Sequence, residues 1–152
     1  MIKTNLKHTI EFPEAPKIGG LKFRRFTASA DYQYMADIIN ACNAVDQLDR
    51  HATADEIAGS YKHLVNSDPY KDVLIAEMFD KPVAYSRAGW HDEGDLDRIY
   101  EHFGFVMPAW RRKGIGRCMF RYNQKSLKGI AAGHPKDKHR WFESFATDTE
   151  TP

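Results

Sequence analysis

Cysteine, strong net charge and long apolar runs are all scarce in this sequence. There are two cysteines, and 22 basic residues are matched by 21 acidic ones, which gives a formal net charge of +1. The two cysteines, Cys42 and Cys118, form neither a disulfide framework nor a metal-binding pattern. We therefore expect both to be reduced, packed thiols, and we expect no metal site.

The near-neutral charge removes the overall basic field that a nucleic-acid or membrane-surface protein would use. No stretch approaches the roughly 20 apolar residues that cross a bilayer. Residues 1–17 lack the apolar run of a signal peptide. We predict a cytoplasmic protein without a nucleic-acid or membrane partner, in which any affinity for anions must come from a local cluster of residues.

What the sequence does contain is ordinary for one folded domain. Its 152 residues are 42% apolar and 28% charged, which is enough for a single hydrophobic core. Residues 1–20 contain two prolines and end in Gly19-Gly20, so they predict an irregular N-terminal arm. Residues 21–152 are predicted to form one domain.

Hydrophobic periodicity divides that domain into helices and strands. Apolar residues at helical spacing predict a first helix after Ser29, which can cap it. Thr53-Ala-Asp-Glu56 is a capping-box pattern that begins a second helix. Strands are predicted at 21–26, 73–79, 83–90, 98–107 and 141–146, and a third helix at 114–130. The order β-α-α-β-β-β-α-β predicts an α/β sandwich, with an antiparallel meander and one crossover to a parallel strand.

The stretch VMPAWRRKGIGR, residues 106–117, places two glycines at the start of the third predicted helix. The first turn of a helix has N–H groups without intrahelical partners and carries about half a positive charge. Gly114 and Gly116 would let a phosphate approach those N–H groups, and the preceding cations would add donors. The turn thus predicts a pyrophosphate site, with a solvated surface run as the alternative.

Two common nucleotide motifs do not fit this turn. Met119 stands where the third glycine of G-x-G-x-x-G would be, and no G-K-[ST] follows, as a P-loop would require. A different pattern does fit. Val106-x-Pro108-x-x-Arg111-x-x-Gly114-x-Gly116 resembles the acetyl-CoA motif of the GCN5-related N-acetyltransferase (GNAT) superfamily, Arg/Gln-x-x-Gly-x-Gly/Ala.

The element order from Leu21 to Ala146 is also similar to that of the GNAT superfamily, so the resemblance covers most of the chain. It implies a GNAT-like acyl-CoA N-acyltransferase fold with acetyl-CoA as the cosubstrate. The implied reaction is transfer of an acetyl group to a primary amine by direct attack. Acceptors in this group include small molecules and peptides, and the sequence does not choose between them.

The resemblance implies roles for individual residues at the strand end and the turn. Backbone groups of Phe105, Val106 and Met107 would pair with the pantetheine arm of CoA, and the N–H of Val106 would polarise the thioester carbonyl. The pyrophosphate would be held by a turn comprising Arg111, Arg112, Lys113, Gly114, Ile115, Gly116 and Arg117.

Three neighbouring residues on the strand before the turn are candidates for the catalytic acid–base groups. His102 has a suitable pKa without adjustment, and Glu101 is adjacent. Tyr100 stands about where histone-type relatives have a glutamate. Strand alternation puts Tyr100 and His102 on one face and Glu101 on the other. A structural role in packing or hydrogen bonding is the alternative for each.

The acceptor amine is implied to meet the segment between the first two helices. Residues of that segment that could contact it are Gln47, Asp49, Arg50 and His51. The tyrosine general acid and two further strands of the superfamily have no counterpart, and Thr151-Pro152 is a helix-start signal. We therefore expect a domain truncated after its fifth main strand, similar to the N-terminal part of a tandem-domain bacterial acetyltransferase.

Other interpretations stay open. The chain could be a catalytically inactive CoA-binding or scaffold half of a tandem protein, and CoA binding without turnover would identify it. A phosphate or nucleic-acid binder would use the basic turn, but the near-neutral charge disfavours it. An uncovered sheet edge predicts a homodimer or association with the missing C-terminal half.

Overall fold

The computed structural model describes residues 9–144, which form one six-stranded sheet with helices on both faces. The strands lie in the order of the sequence, from β1 to β6. They are β1 (Thr9–Ile10), β2 (Leu21–Arg25), β3 (Val73–Met78), β4 (Lys81–Glu93), β5 (Asp97–Val106) and β6 (His139–Ser144). The helices are α1 (Asp31–Val45), α2 (Ala54–Tyr61), α3 (Pro69–Asp72) and α4 (Ile115–Ala132), with a 3₁₀ turn at Pro108–Trp110.

The centre of the sheet is an antiparallel meander, as the sequence predicts. β2, β3, β4 and β5 pair antiparallel with their neighbours, and β6 pairs parallel with β5 after the crossover through α4. β3 is buried along nearly its whole length, because helices cover both of its faces. The predicted α/β architecture is confirmed.

Strand alternation divides the core between the two faces. On one face, Tyr85 belongs to the buried cluster that includes Met35 and Ile38 of α1, and Phe103 and Phe105 pack against it. On the other face, the buried side chains of α4 pack against β3, β4 and β5. We call these the α1 face and the α4 face. The predicted alternation along β5 is confirmed, because Tyr100 lies on the α4 face and Phe103 on the α1 face.

Two short elements were not predicted. The N-terminal arm is not wholly irregular, since Thr9 and Ile10 pair with Arg24 and Phe23. The one-turn helix α3 begins at Pro69, with the Asp68 side chain accepting a hydrogen bond from the Tyr70 N–H. Elements of two and four residues are too short to show a hydrophobic period.

The helix-capping predictions had mixed outcomes. The capping box is confirmed: Glu56 N–H donates to the Thr53 hydroxyl, and Thr53 N–H donates to the Glu56 carboxylate. The cap by Ser29 is wrong, because α1 begins one residue later, after Ala30, without a side-chain cap. The predicted end of the last strand and the helix-start signal Thr151-Pro152 lie outside residues 9–144.

Residues 9–144 contain neither a membrane-spanning helix nor a cluster of metal ligands. No helix there is long and apolar enough to cross a membrane. No group of three or more His, Cys, Asp or Glu side chains is arranged to hold a metal ion.

Candidate functional site

The glycine turn before α4 exposes a series of backbone N–H groups. Arg112 and Gly114 both have positive φ, 64° and 88°, so two residues of the turn adopt left-handed backbone before the helix begins. The first helical hydrogen bond runs from the Cys118 N–H to the Gly114 carbonyl. Within the part of the chain that the structure describes, the N–H groups of residues 112–117 have no hydrogen-bond partner. Such a concave row of free donors is suited to an anion.

The two glycines have different physical roles in this turn. Gly114 supplies the left-handed backbone that a residue with a side chain adopts at a cost. Gly116 is helical, but a Cβ atom there would lie 3.4 Å from Cγ2 of Val106. The turn therefore lies directly against the end of β5, and the missing side chain keeps the space between them open.

Within the described residues, β5 extends further than its parallel partner β6. Their last register pair is His102 with Ser144, whereas β5 continues to Val106 in contact with β4. In an antiparallel pair, successive residues turn their backbone groups alternately towards and away from the partner strand. The Met107 N–H donates to the Val83 carbonyl at 2.8 Å, so the backbone of Val106 points away from β4, to the side of β5 where β6 pairs. We call the space on that side of Val106, beyond the last described β5–β6 pair, the cleft.

This geometry corrects the prediction for the strand end. Phe105 is two residues before Met107, so its backbone groups also point towards β4 and are not directed into the cleft. The Val106 carbonyl accepts hydrogen bonds from Arg111 Nε at 3.1 Å and from Cys42 Sγ at 3.2 Å. Of the three predicted residues, only Val106 offers the cleft a backbone N–H.

The structure also changes the reading of Arg111. Its guanidinium donates two hydrogen bonds to the Asp46 carboxylate, at 2.6 and 2.7 Å, in addition to the one to Val106. Asp46 is almost fully buried. The hydrogen bonds to Asp46 raise the pKa of Arg111 above the ordinary arginine value. Arg111 was predicted as a free phosphate donor, but it instead ties the end of α1 to the end of β5.

The other predicted cations of the turn lie at the surface. The side chains of Arg112, Lys113 and Arg117 are exposed, and among the described residues they have no ion-pair partner. Ile115 is buried, so only its backbone N–H faces the turn. Their predicted contact with a pyrophosphate stays a prediction.

The three catalytic candidates do not come together. His102 is buried on the α4 face, where its Nδ1 accepts a hydrogen bond from Asn123 at 2.8 Å. Burial lowers the pKa of His102 to about 4. The Tyr100 hydroxyl is on the same face, 2.7 Å from Nδ1 of His134. Glu101 is on the α1 face, half-exposed, with its carboxylate 4.0 Å from His91.

A cavity of about 280 Å³ opens on the α1 face beside the end of β5. Residues of α1, of the following loop and of β5 line it, including Ile39, Leu48, Arg50, His51, Phe103 and Phe105. Two of the four residues predicted to meet the acceptor, Arg50 and His51, line this cavity, whereas Gln47 and Asp49 do not.

Two asparagines of α1 hold the loop that borders the cavity. The Asn40 side chain donates to the Ala52 carbonyl and accepts from the Ala52 N–H, at 2.9 and 2.8 Å. Asn43 donates to the Arg50 carbonyl at 3.1 Å. The sequence reasoning missed these residues and Asp46. The available signal was three polar side chains close to the apolar positions of one helix, which indicates partners elsewhere in the fold.

The comparison with known proteins gives its clearest result for solved structures. No protein-family model matches the chain, and no curated protein matches it. A GCN5-related N-acetyltransferase from Sphaerobacter thermophilus superposes with a TM-score of 0.61 at 19% identity, covering 78% of this chain and 35% of that one. The chain has the fold of the GCN5-related N-acetyltransferases. The predicted fold class is thereby confirmed.

Two further structures with the GNAT fold extend this comparison. The yncA protein of Salmonella typhimurium, solved with its cofactor acetyl-CoA, has a TM-score of 0.56 at 22% identity and covers 74% of this chain. An aminoglycoside acetyltransferase from an uncultured soil metagenomic sample has a TM-score of 0.55 at 16% identity and covers 85%. The chain spans 65% of the yncA structure and 80% of the aminoglycoside enzyme.

Proposed function

We propose that the chain is an N-acetyltransferase that transfers the acetyl group of acetyl-CoA to a primary amine. The observation that carries this proposal is the position of the Val106 N–H. It points away from β4, on the side of β5 where β6 pairs, and the Cβ-free surface of Gly116 adjoins the same residue. The GNAT fold supports the proposal, because the yncA structure with this fold holds acetyl-CoA.

The residues of the turn fit the phosphates of CoA. Unpaired N–H groups of residues 112–117 would donate to the pyrophosphate, and Arg112, Lys113 and Arg117 would close over it. A side chain at Gly116 would occupy the space between the turn and β5. Acetyl-CoA supplies the activated thioester; the chain supplies donors that are fixed before it binds.

The Val106 N–H would stabilise the negative charge that develops on the thioester oxygen as the amine attacks. The amine nitrogen forms the new bond to the acetyl carbon and gives up a proton. The carbon–sulfur bond breaks, and the thiolate takes up a proton. Among the sequence candidates, Glu101 is the base that we propose, because it shares the α1 face with Phe103, which lines the cavity. His102 and Tyr100 are enclosed on the opposite face.

A second candidate function is an inactive CoA-binding or scaffold half of a tandem acetyltransferase. One observation favours it: two of the three catalytic candidates are buried away from the cavity. The expected homodimer, or association with a C-terminal half, stays a prediction. Sedimentation at high concentration tests it, and a monomer would contradict it.

Calorimetric titration of acetyl-CoA tests the main proposal. We expect the native chain to bind and Gly116→Glu to lose binding, because the new carboxylate would occupy the anion site. The matched control is Gly129→Glu on the same helix, where an added Cβ meets nothing within 4 Å; it should bind like the native chain. Failure of the native chain to bind would contradict the acetyltransferase and the CoA-binding form of the second candidate, and would leave the scaffold form. Binding without transfer to any amine would favour the second.

A further inference from the structure

Arg87 is an arginine of the α1 face without an acidic partner. It lies on β4 opposite Phe103 of β5. Its guanidinium is held between two rings, 4.8 Å from the centroid of Phe103 and 5.3 Å from that of Tyr61. Arg24, Arg98 and Arg111 each pair with an aspartate, whereas Arg87 pairs with no carboxylate of residues 9–144.

Two buried polar atoms in this place make no hydrogen bond of ordinary geometry within the described chain. They are Nε of Arg87 and the hydroxyl oxygen of Tyr61. Burial raises the pKa of Tyr61 to about 12, and the charge of Arg87 together with a side-chain interaction between the two residues partly offsets that rise. The hydroxyl is therefore a neutral donor beside a fixed cation.

Stacking on aromatic rings does not supply the hydrogen-bond acceptors that these two donor groups need. A ring faces the flat side of a guanidinium, while its N–H bonds point outwards in the plane. Buried donors in folded proteins nearly always have an acceptor. A carboxylate suits this pair, because it can accept from the edge of an arginine and from a hydroxyl at the same time.

The pair does not itself line the candidate acceptor cavity but adjoins it through Phe103. Phe103 contacts the Arg87 guanidinium and also lines the cavity with Phe105. Val106 is three residues further along β5, which is roughly 10 Å at the ordinary rise of a strand. A group bound at Arg87 would therefore be separated from the reacting nitrogen by an extended chain.

We infer that Arg87 and Tyr61 bind a carboxylate of the acceptor, so that the substrate is an anionic amine. The carboxylate and the amine lie on the order of 10 Å apart, unlike the two groups of an α-amino acid. Naming the ligand as the acceptor rests on the proposed function; the carboxylate site itself does not.

The test compares two amines that differ only in charge, 8-aminooctanoate and 8-aminooctanamide. Calorimetry in saturating CoA, which has no acetyl group to transfer, measures their binding without turnover. We expect the carboxylate to bind at least about tenfold more tightly, because charge-assisted hydrogen bonds are the stronger ones. 2-Aminooctanoate, with the two groups on one carbon, should lose most of this advantage.

Variants assign the preference to the two residues. Arg87→Gln should reduce the ratio of the two affinities to about one, and Tyr61→Phe should reduce this ratio several-fold. Both variants should leave the affinity for 8-aminooctanamide unchanged. Arg121→Gln removes the same charge from the exposed surface of α4 and should keep the preference. Arg87→Lys serves if Arg87→Gln folds poorly; it should keep only part of the preference, because lysine lacks the planar fork.

The inference is overturned if the native chain does not distinguish the two amines, if it binds neither at millimolar concentration, or if Arg87→Gln distinguishes them equally well. Acetyl-CoA titration is read separately. A chain that binds acetyl-CoA but shows no carboxylate preference keeps the proposed function and loses this inference. A chain that prefers the carboxylate but does not bind acetyl-CoA keeps the carboxylate site and loses the proposed function.

Discussion

The glycine turn and the α1 face present different kinds of chemical group to a ligand. The turn consists of backbone N–H groups whose direction is set by two positive φ angles and one missing Cβ. The α1 face consists of side chains from α1, α2, β4 and β5. A backbone site can bind any ligand with the right phosphate, whereas a site made of side chains distinguishes between ligands. Under the proposed function, the turn would bind the acetyl donor and the α1 face would select the acceptor.

One ion pair joins the two regions, and breaking it should have the largest effect. Asp46→Ala leaves the Arg111 guanidinium without its buried partner. We expect the free energy of unfolding to fall by about 3 kcal/mol, since removing one member of a buried pair strands the other charge. Urea unfolding measures this loss. The control is Asp49→Ala in the same loop, an exposed aspartate, and a similar loss there would contradict the explanation.

A change at Glu101 sharpens the comparison from the side of the acceptor. If its carboxylate removes the proton of the amine, Glu101→Gln should lower kcat about 100-fold and leave the acetyl-CoA affinity unchanged. The measurement is thiol release with an amine that the native chain accepts, and Glu93→Gln on the neighbouring strand is the control. Equal rates for native chain and Glu101→Gln would remove Glu101 from the mechanism.

The α4 face should respond to pH through His102. Its folded pKa is about 4, against 6.5 for an ordinary histidine, so the unfolded chain binds the proton first as the pH falls. The stability from this group is therefore present above about pH 6.5 and is lost between pH 6.5 and 4. We expect the contribution of His102 to the free energy of unfolding to be lower by about 2.5 kcal/mol at pH 4.5 than at pH 7. Urea unfolding of the native chain and of His102→Gln at both pH values measures the difference, and equal pH slopes would show that His102 does not titrate this way.

The sequence allowed more of the glycine turn than of the α1 face to be predicted, for a physical reason. Gly114 and Gly116 could be interpreted because a positive φ and a close approach leave a residue type as their signature. The order of the long elements was readable because each shows its own hydrophobic period. The two residues of β1 and the four of α3 show none, and only pairing with β2 or the proline after Asp68 defines them.

Side-chain partners far apart in the chain left no comparable signal. Nothing near Arg111 indicates that its carboxylate partner, Asp46, lies 65 positions away, just after the end of α1. Arg87 stands in a buried strand and reads as an ordinary surface charge until the rings of Tyr61 and Phe103 are brought to it. The alternation of β5 placed Tyr100, Glu101 and His102 on the correct faces, but it could not show which face holds the cavity.

The asparagine contacts of α1 have a consequence for how such a protein can change over evolutionary time. Asn40 and Asn43 hold the loop through the backbone groups of Arg50 and Ala52, so the loop keeps its path whatever side chains it carries. The residues that line the cavity can then be replaced one at a time without remodelling the domain. If the cavity holds the acceptor, as the proposed function has it, a new acceptor preference is accessible by single substitutions at Leu48, Arg50 and His51.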